Sequence, residues 1–317
     1  MPLLSYTDAP AQLLDLFHTE KESILARYYE PEPGLFIAES AKVTLRAADA
    51  GYRIIAMLAD ESQINRETKD LLARFPDIPV YHAPSAKFLE ISGYPMTRGV
   101  LALFRRKLRS RPDPLPRSMR KDSLRDSSLC SGYSGQPFPR SAEGGAFPFM
   151  EEGAFPALGQ VASDPANRRF AVLEEVGNPA NIGAIFRSAA ALNIDAILLS
   201  KGCCDPLSRR CLRVSMGTVF LIPWAMTGLP GALIAESLRS YGIQTAALAL
   251  SDDSVPVTED SLKQSPRLAL FLGNEGNGLR KETIGACDHV VRIPMREGVD
   301  SLNVAAASAV AFWELRI

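Results

Sequence analysis

The sequence LALFLGNEGNGL, residues 268–279, and the later VVRIPMREGVDSLNVAAASAVAF, residues 290–312, decide the fold of this chain. Each begins with an apolar run of strand composition, continues into a polar loop and then enters residues that favour helix. Both loops are therefore expected at the carboxyl end of a strand, where open α/β sheets place their sites. The pattern predicts an α/β domain with a candidate site built from these loops.

Each of the two loops carries polar side chains. The first holds Glu275 in a Gly-rich turn that starts at Gly273, so a carboxylate lies among residues that let the backbone approach a ligand closely. The second holds Ser301 and Asn303, which are both able to cap the helix that follows. Either loop alone is ordinary, and the prediction rests on their occurring together.

A third loop, GNPANIG, is followed by the segment IGAIFRSAAAL, which favours helix. We expect Asn178 and Asn181 in a turn at the end of a strand, with Arg187 in the next helix. An arginine in a run of otherwise apolar and small residues needs an anionic partner, and a phosphate or carboxylate fits this requirement. A helix cap and a surface arginine explain the same residues without function.

Composition limits the classes of protein. The 317 residues carry a formal net charge of −1, and the sequence pI is about 6.4, so any contact with nucleic acid must come from local patches. The five cysteines form no CxxC pair and no signal peptide is recognised, which predicts the cytoplasm. No apolar run reaches the roughly 20 residues that span a bilayer, so no membrane association is expected.

Three segments are predicted along the chain. Residues 1–104 begin with a helix over residues 7–29, and strands at LFIAES, YRIIAMLAD, IPVYHAP and GVLALFRR then alternate with helices, which indicates a small α/β domain. Residues 105–167 are rich in Pro, Gly and Ser and are predicted to be a linker or a disordered insertion. Residues 168–317 are predicted to form a second α/β domain.

The second domain is predicted to contain a mostly parallel sheet with covering helices. Besides the two strands of the opening motifs, strands are predicted at FAVLEEV, DAILLS, VFLIPW and IQTAALAL. The closing helix, NVAAASAVAFWELRI, is apolar on most faces, so burial against the sheet or against a partner subunit is expected.

The start of the predicted linker is basic. Residues 105–125 contain nine Lys and Arg against two Asp. A solvated spacer is the ordinary explanation of such a charge run, and a flexible arm that tracks phosphates is the more specific one. Both interpretations stay open at this point.

Several other site classes are disfavoured. The glycines of GNEGNGL do not have the spacing of the dinucleotide fingerprint, and no Walker lysine motif is present. The cysteines lack the paired spacing of zinc ligands, and no histidine lies near the three loops, so neither a metal site nor a His-dependent hydrolase is expected. Amides, a carboxylate, a hydroxyl and an arginine suit positioning and charge recognition better than nucleophilic catalysis.

Three motifs occur in order: NPANIGAIFR at 178–187, LFLGNEGNGL at 270–279 and VRIPMREGVDSLNVAAA at 291–307. Together they resemble those of the SpoU, or TrmH, family of RNA ribose methyltransferases. The resemblance implies a SPOUT-type α/β knot, in which the carboxyl-terminal segment is threaded through a loop. Residues 1–104 more loosely resemble the ribosomal-protein-like RNA-binding domain that many rRNA-acting members carry. The insertion at 105–167 is outside the usual pattern.

The resemblance also implies the chemistry. S-adenosylmethionine would be bound by Gly273, Ile293 and Leu302, in a homodimer whose site is completed across the interface, and no metal would be needed. The methyl group would pass to a ribose 2′-hydroxyl. The family pattern assigns the catalytic work to five residues: Arg187, Asn181, Glu275, Ser301 and Asn303.

The role of Arg187 follows from its chemistry within that pattern. A guanidinium is a poor general base because its ordinary pKa exceeds about 12. We therefore expect Arg187 to bind the adjacent RNA phosphate and hold the hydroxyl in line, with the phosphate or a water relaying the proton. Glu275 would then fix Arg187 or Asn181.

Three functions are carried forward. The first is 2′-O-methylation of structured RNA, with rRNA as the first expectation and tRNA as the second. The second is a non-catalytic RNA-binding or ribosome-assembly protein with the same fold. The third, a metabolite-binding α/β enzyme unrelated to RNA, would require the three motif matches to be coincidence.

Overall fold

The computed structural model describes residues 3–17, 25, 34–93, 99–107, 157–251, 253–299 and 301–317. These residues form two α/β units. The first has a five-stranded sheet in the order β1-β4-β3-β5-β2, and the second has a seven-stranded sheet in the order β10-β12-β9-β11-β6-β7-β8.

The first unit is a mixed sheet covered by helices. Its strands are β1 (Leu4–Ser5), β2 (Leu35–Glu39), β3 (Arg53–Asp60), β4 (Val80–Ala83) and β5 (Val100–Arg105). Its helices are α1 (Ala11–Phe17), α2 (Ala41–Asp49), α3 (Arg66–Arg74) and α4 (Ser85–Ser92). Strand β5 pairs antiparallel with β2 and β3, and β4 pairs parallel with β3 and β1. The four strands predicted here are confirmed.

In the first unit one strand was not predicted, and one predicted helix lies only partly within the described residues. The short strand β1 was not predicted, because a two-residue strand carries no periodic signal. A leading helix was predicted over residues 7–29. The structure shows helix α1 at Ala11–Phe17 and a helical residue at Leu25. The other residues of that prediction after Phe17 lie outside the described residues.

The second unit is built on a sheet whose strand pairs are all parallel. Its strands are β6 (Arg169–Leu173), β7 (Ala196–Leu199), β8 (Trp224–Met226), β9 (Gln244–Leu248), β10 (Val255–Pro256), β11 (Leu268–Leu272) and β12 (His289–Arg292). Its helices are α5 (Leu158–Ser163), α6 (Pro179–Ala191), α7 (Arg209–Val214), α8 (Gly231–Ser240), α9 (Asp260–Gln264), α10 (Lys281–Ala286) and α11 (Val304–Leu315). The parallel α/β architecture is as predicted.

The strand predicted at VFLIPW is wrong over most of its length. Thr218–Phe220 form a 3-10 helix, and β8 begins only at Trp224. Pro223 has no N–H to donate to a neighbouring strand, so regular pairing begins after it. Strand β10 and helix α9 were not predicted, since elements of two and five residues are too short to show a period.

The linker prediction is wrong at its carboxyl-terminal end. Within the predicted stretch 105–167, Leu158–Ser163 form helix α5. Leu158, Val161 and Ala162 are buried in an apolar cluster that includes Phe170 of β6. One and a half helical turns bury enough surface only because the sheet supplies the other half of the contact. Residues 108–156 lie outside the described residues.

The two units share a contact surface with buried charge. Glu39, at the end of β2, is 5% exposed, and its carboxylate accepts a hydrogen bond from Arg209 Nε at 2.9 Å on helix α7. Arg106 Nη1 lies 2.5 Å from Asp205 Oδ2, so Arg106 belongs to this contact and not to a flexible basic arm. Phe36 and Tyr52 of the first unit pack on Phe220 of the second. Removing either partner of the Glu39 and Arg209 pair would leave a buried charge.

Two buried groups, Cys203 and Tyr52, and the half-buried Cys287 predict that the protein loses stability in alkaline solution. Burial raises the pKa of Cys287 from an ordinary 9.0 to about 12, and it also raises the pKa of Cys203 and of Tyr52. Above pH 9 the unfolded chain gives up protons that the folded chain keeps, so the free energy of unfolding falls as pH rises. Urea titrations between pH 7 and pH 10.5 measure this fall, and Cys287→Ala is expected to reduce it. A flat profile would contradict the prediction.

Candidate functional site

The three predicted loops emerge at one edge of the large sheet. Strand β11 lies between β6 and β9, and β12 pairs with β9 on the other side. Because all four strands are parallel, the loops that follow β6, β11 and β12 leave the sheet on the same side. The sheet therefore brings together motifs that are about a hundred residues apart in the sequence.

Three of the predicted side chains are joined by hydrogen bonds. Asn181 Nδ2 donates to Glu275 Oε1, and Asn303 Nδ2 donates to Asn181 Oδ1 at 3.3 Å. Asn181 is 9% exposed, so its amide is withdrawn from water and uses both its donor and its acceptor on the other two motifs. Of the two partners expected for Glu275, the structure shows Asn181. We call these three residues, two side-chain amides and one carboxylate, the amide triad.

Helix α6 starts earlier than the sequence suggested. It begins at Pro179, and Asn178 caps it by accepting a hydrogen bond from Ala180 N at 2.9 Å. Asn181 was expected in a turn, but it lies in the first turn of the helix, where the backbone holds its side chain in a fixed direction. A Cβ at Gly183 would lie 2.7 Å from the carbonyl oxygen of Cys211, so this glycine allows α6 to pack closely on α7.

The Gly-rich loop after β11 is closed by its own backbone. Asn274 and Gly278 exchange two backbone hydrogen bonds of 3.2 Å, and the Asn274 side chain accepts from Gly276 N at 2.9 Å. A Cβ at Gly273 would overlap the backbone of Gly278, so the loop itself requires glycine there. Glu275 stands exposed at the tip of this tight turn.

Arg187 is not joined to the amide triad within this chain. It lies six residues beyond Asn181 on α6, about 9 Å along the helix axis at about 1.5 Å per residue. The side chain is exposed, and it forms no hydrogen bond or ion pair with any residue that the structure describes. The expected anionic partner is therefore not supplied by the described part of the chain, and the guanidinium group faces solvent.

The loop after β12 leads into α11. Asn303 caps this helix by accepting from Ala305 N at 2.9 Å, while Ser301, the other predicted cap, is exposed. Ile293 follows β12 directly and is half-buried against the core, and Leu302 is 42% exposed. With Gly273 at the end of β11, the residues expected to bind the cofactor all lie at the same edge of the sheet.

The described residues set two further limits. Among them, no three His, Cys, Asp or Glu are grouped so that they could hold a metal ion. No helix in the described part of the chain is long and apolar enough to cross a membrane.

Comparison with known proteins identifies the family. The model of the SpoU rRNA Methylase family matches residues 168–313. An uncharacterized tRNA/rRNA methyltransferase of Mycobacterium bovis is 32% identical over 282 residues, which cover 88% of this chain and 80% of that protein. The chain belongs to the SpoU family. The resemblance noted in the three motifs is confirmed, and with it a SAM-dependent RNA methyltransferase.

Other SpoU-family proteins match parts of the chain or its fold. The 23S rRNA (guanosine(2553)-2′-O)-methyltransferase RlmP of Bacillus subtilis is 32% identical over 149 residues, which are 47% of this chain and 58% of that protein. The SpoU methyltransferase AviRb of Streptomyces viridochromogenes, solved in complex with AdoMet, matches with a TM-score of 0.65 at 18% identity over 96% of both chains. At this identity the likeness shows the fold, and it extends over both α/β units.

One SpoU-domain residue at this edge was not anticipated from the sequence. Glu174 follows β6, is 2% exposed and accepts hydrogen bonds from Thr283 Oγ1 at 2.6 Å, Arg280 N at 2.9 Å and Gly231 N at 3.2 Å. It therefore fixes the chain just after the Gly-rich loop. The sequence could have indicated this residue, because the acidic pair in LEEV lies at a strand end. A carboxylate buried at such a position needs several hydrogen-bond donors.

Proposed function

We propose that this SpoU-family protein methylates a ribose 2′-hydroxyl of structured RNA, with rRNA as the first substrate class and tRNA as the second. The observation that carries the proposal is the amide triad, which links all three family motifs at one edge of the sheet. A chain that had kept only the fold would have no need to hold these three polar side chains in one hydrogen-bonded group.

The residues at this edge fit S-adenosylmethionine. Gly273 presents backbone without a Cβ, and the half-buried Ile293 and the exposed Leu302 offer apolar surface beside it. A ligand with an aromatic base and polar termini suits such a mixture of backbone groups and apolar side chains. When bound, the cofactor supplies an electrophilic methyl group.

The chain must then position the ribose and manage its proton. Arg187 is exposed on α6 and is free to bind an RNA phosphate beside the target hydroxyl. Its guanidinium holds the hydroxyl in line, and the phosphate or a water accepts the proton, because an arginine is a poor base. Asn181, Glu275 and Asn303 shape the pocket wall, and the exposed Ser301 hydroxyl is available to the ribose.

We also propose a knotted domain that works as a homodimer. Strand β12 lies between β9 and β10, although both precede it in the sequence. The chain that joins β9 to β10 must therefore cross the end of β12, as threading through a loop requires. On α11, Trp313 is 57% exposed and Val310 is 45% exposed, which offers apolar surface to a second copy. Arg187 of one copy would then complete the site of the other.

The first unit is proposed as the RNA-binding domain. Its contact through Glu39 and Arg209 joins it to α7, which packs on the site helix α6. RNA held by the first unit would thus lie in a fixed relation to the amide triad. Of the basic residues at 105–125, only the first three lie within the described residues, so the phosphate-tracking arm stays a prediction for the remainder.

Mapping of 2′-O-methylation tests the function directly. Total RNA from cells with and without this gene is compared by alkaline-resistance profiling, and the purified protein is then given tritiated S-adenosylmethionine and the identified RNA. We expect one 2′-O mark to disappear, and the protein to restore it unless the target carries a 2′-deoxyribose. An unchanged map, together with RNA binding but no methyl transfer, would favour the non-catalytic RNA-binding function instead.

A further inference from the structure

The connection between β9 and β10 passes over the end of β12. Leu248 of β9 and Val255 of β10 both pair with Val291 of β12, so the three strands lie side by side at this level. The chain leaves β9 on one side of β12 and returns on the other side. We call residues 249–251 and 253–254, the described part of this connection, the arch.

The arch is fastened to β12 at both ends. At its start, Ala249 N donates to Val291 O at 3.0 Å. At its end, Arg292 Nη1 donates to the carbonyl oxygen of Ser254 and lies 3.0 Å from Ser254 Oγ. Ser254 is 5% exposed, and its own N–H and hydroxyl turn back to Ser251 O at 3.0 and 2.5 Å. One guanidinium group therefore joins the closing turn of the arch to the strand beneath it.

Arg292 ends β12 and immediately precedes Ile293. Ile293 packs on the core together with Leu248 and Val255, the residues on either side of the arch. Leu250 in the arch is 57% exposed. The Arg292 bonds hold the end of the arch against the strand that leads into Ile293.

We propose that Arg292 is a positioning residue that holds the arch as one wall of the S-adenosylmethionine pocket. This inference rests on the proposed cofactor contact at Ile293. Arg292 itself is turned to Ser254 and need not touch the cofactor. Its charged N–H groups form stronger hydrogen bonds to a carbonyl than a neutral side chain would, so the arch is held in one position before the ligand arrives.

Loss of this bond should weaken cofactor binding more than it slows the reaction. If Arg292→Met leaves the arch correctly placed for about a tenth of the time, the dissociation constant for S-adenosylmethionine rises about tenfold. At saturating cofactor the arch is held by the ligand, so kcat changes by less than about threefold. Arg292→Lys keeps one charged donor and is expected to recover most of the affinity.

Calorimetric titration of the full-length protein with S-adenosylmethionine tests the inference, and Arg239→Met is the matched control. Arg239 also donates to a backbone carbonyl, that of Ala286, but it lies near Asp288 before β12, away from the arch. We expect the control to keep the wild-type dissociation constant, even if both variants melt at a lower temperature.

The role of Arg292 would be overturned by wild-type affinity in Arg292→Met or by an equal loss of affinity in Arg239→Met. The first outcome contradicts the role whether or not kcat falls. Failure of the proposed function gives a different result, because the wild-type protein itself would then show no binding of S-adenosylmethionine.

Discussion

Replacing Arg187 with alanine is expected to reduce methyl transfer to the target RNA at least about a hundredfold while the fold stays intact. The side chain is exposed on α6 and forms no bond with the described residues, so its removal leaves no buried group unsatisfied. What is lost is the contact with the RNA phosphate that holds the hydroxyl in line. Single-turnover methylation with tritiated S-adenosylmethionine measures the rate, and thermal melting checks the fold.

Arg187→Lys distinguishes a requirement for positive charge at this position from a requirement for the planar guanidinium group. Lysine keeps the charge but lacks the planar fork that binds phosphate through two parallel bonds, so a rate between those of wild type and alanine is expected. Arg239→Ala, on α8, serves as the control for loss of a surface arginine, and it should keep the wild-type rate. Wild-type turnover in Arg187→Ala would remove this residue from the site.

A partner copy can be detected with the same variant. If Arg187 acts in the site of the other subunit, mixing Arg187→Ala with Asn303→Ala regenerates one intact site in a mixed dimer. Activity would then rise above that of either variant alone. The Arg187→Ala subunit keeps Asn303 and its amide triad, and the Asn303→Ala subunit keeps Arg187, so the two together supply one complete site.

The sequence predicted those parts of the structure that depend on local pattern. Continuous apolar runs bounded by turn residues identified the strands β6, β7, β9, β11 and β12, because strands covered on both faces read as continuous apolar segments. The parallel arrangement followed from the alternation of these runs with helices. Parallel pairing predicted that the loops carrying Asn181, Glu275 and Asn303 share one edge of the sheet, and the family resemblance predicted that these residues form one site.

Features that depend on distant partners could not be predicted in this way. Helix α5 lies in a Pro- and Gly-rich context and is stable only against the sheet. The short strand β10 exists because β12 offers it an edge, which no local signal records. The bond from Arg292 to Ser254 joins residues 38 positions apart, and its donor is one of many arginines in the chain.

Three predicted site residues, Asn181, Glu275 and Asn303, lie together in the structure, whereas the residues that support the neighbouring loops were missed. These three residues carry polar side chains in loops that are ordinary singly, and the occurrence of the loops together is what identified them. Glu174 fixes the chain just after the Gly-rich loop and Arg292 bonds to the arch, and only these folded contacts distinguish the two residues from ordinary surface charges. Arg187 was expected to need a partner because its neighbours in sequence are apolar. The helix instead turns it to solvent, since a run of small residues does not define a buried face.

Replacing Arg169 with methionine is expected to lower the free energy of unfolding by about 3–5 kcal/mol, because a buried cation that satisfies several carbonyls is lost. Arg169 begins β6 and is 2% exposed. Its guanidinium donates to the carbonyl oxygens of Leu315 at 2.7 Å, Ser265 at 2.9 Å and Lys263 at 3.0 Å. It thereby caps the carboxyl ends of α11 and α9 together, where a positive charge also interacts favourably with the negative ends of the helix dipoles.

Arg168→Met provides the matched control for this loss of stability, since the neighbouring arginine is exposed and its side chain reaches one carbonyl, that of Pro266, at 3.3 Å. Arg168→Met should lower the free energy of unfolding by less than about 1 kcal/mol, as other surface changes do. The melting temperature should fall by roughly 10 °C in Arg169→Met and little in Arg168→Met. Equal shifts would mean that the final helix is held by its apolar face alone. A large shift confined to Arg169 would show that the carboxyl-terminal helix, which carries Asn303 at its start, is fastened to the sheet at its far end.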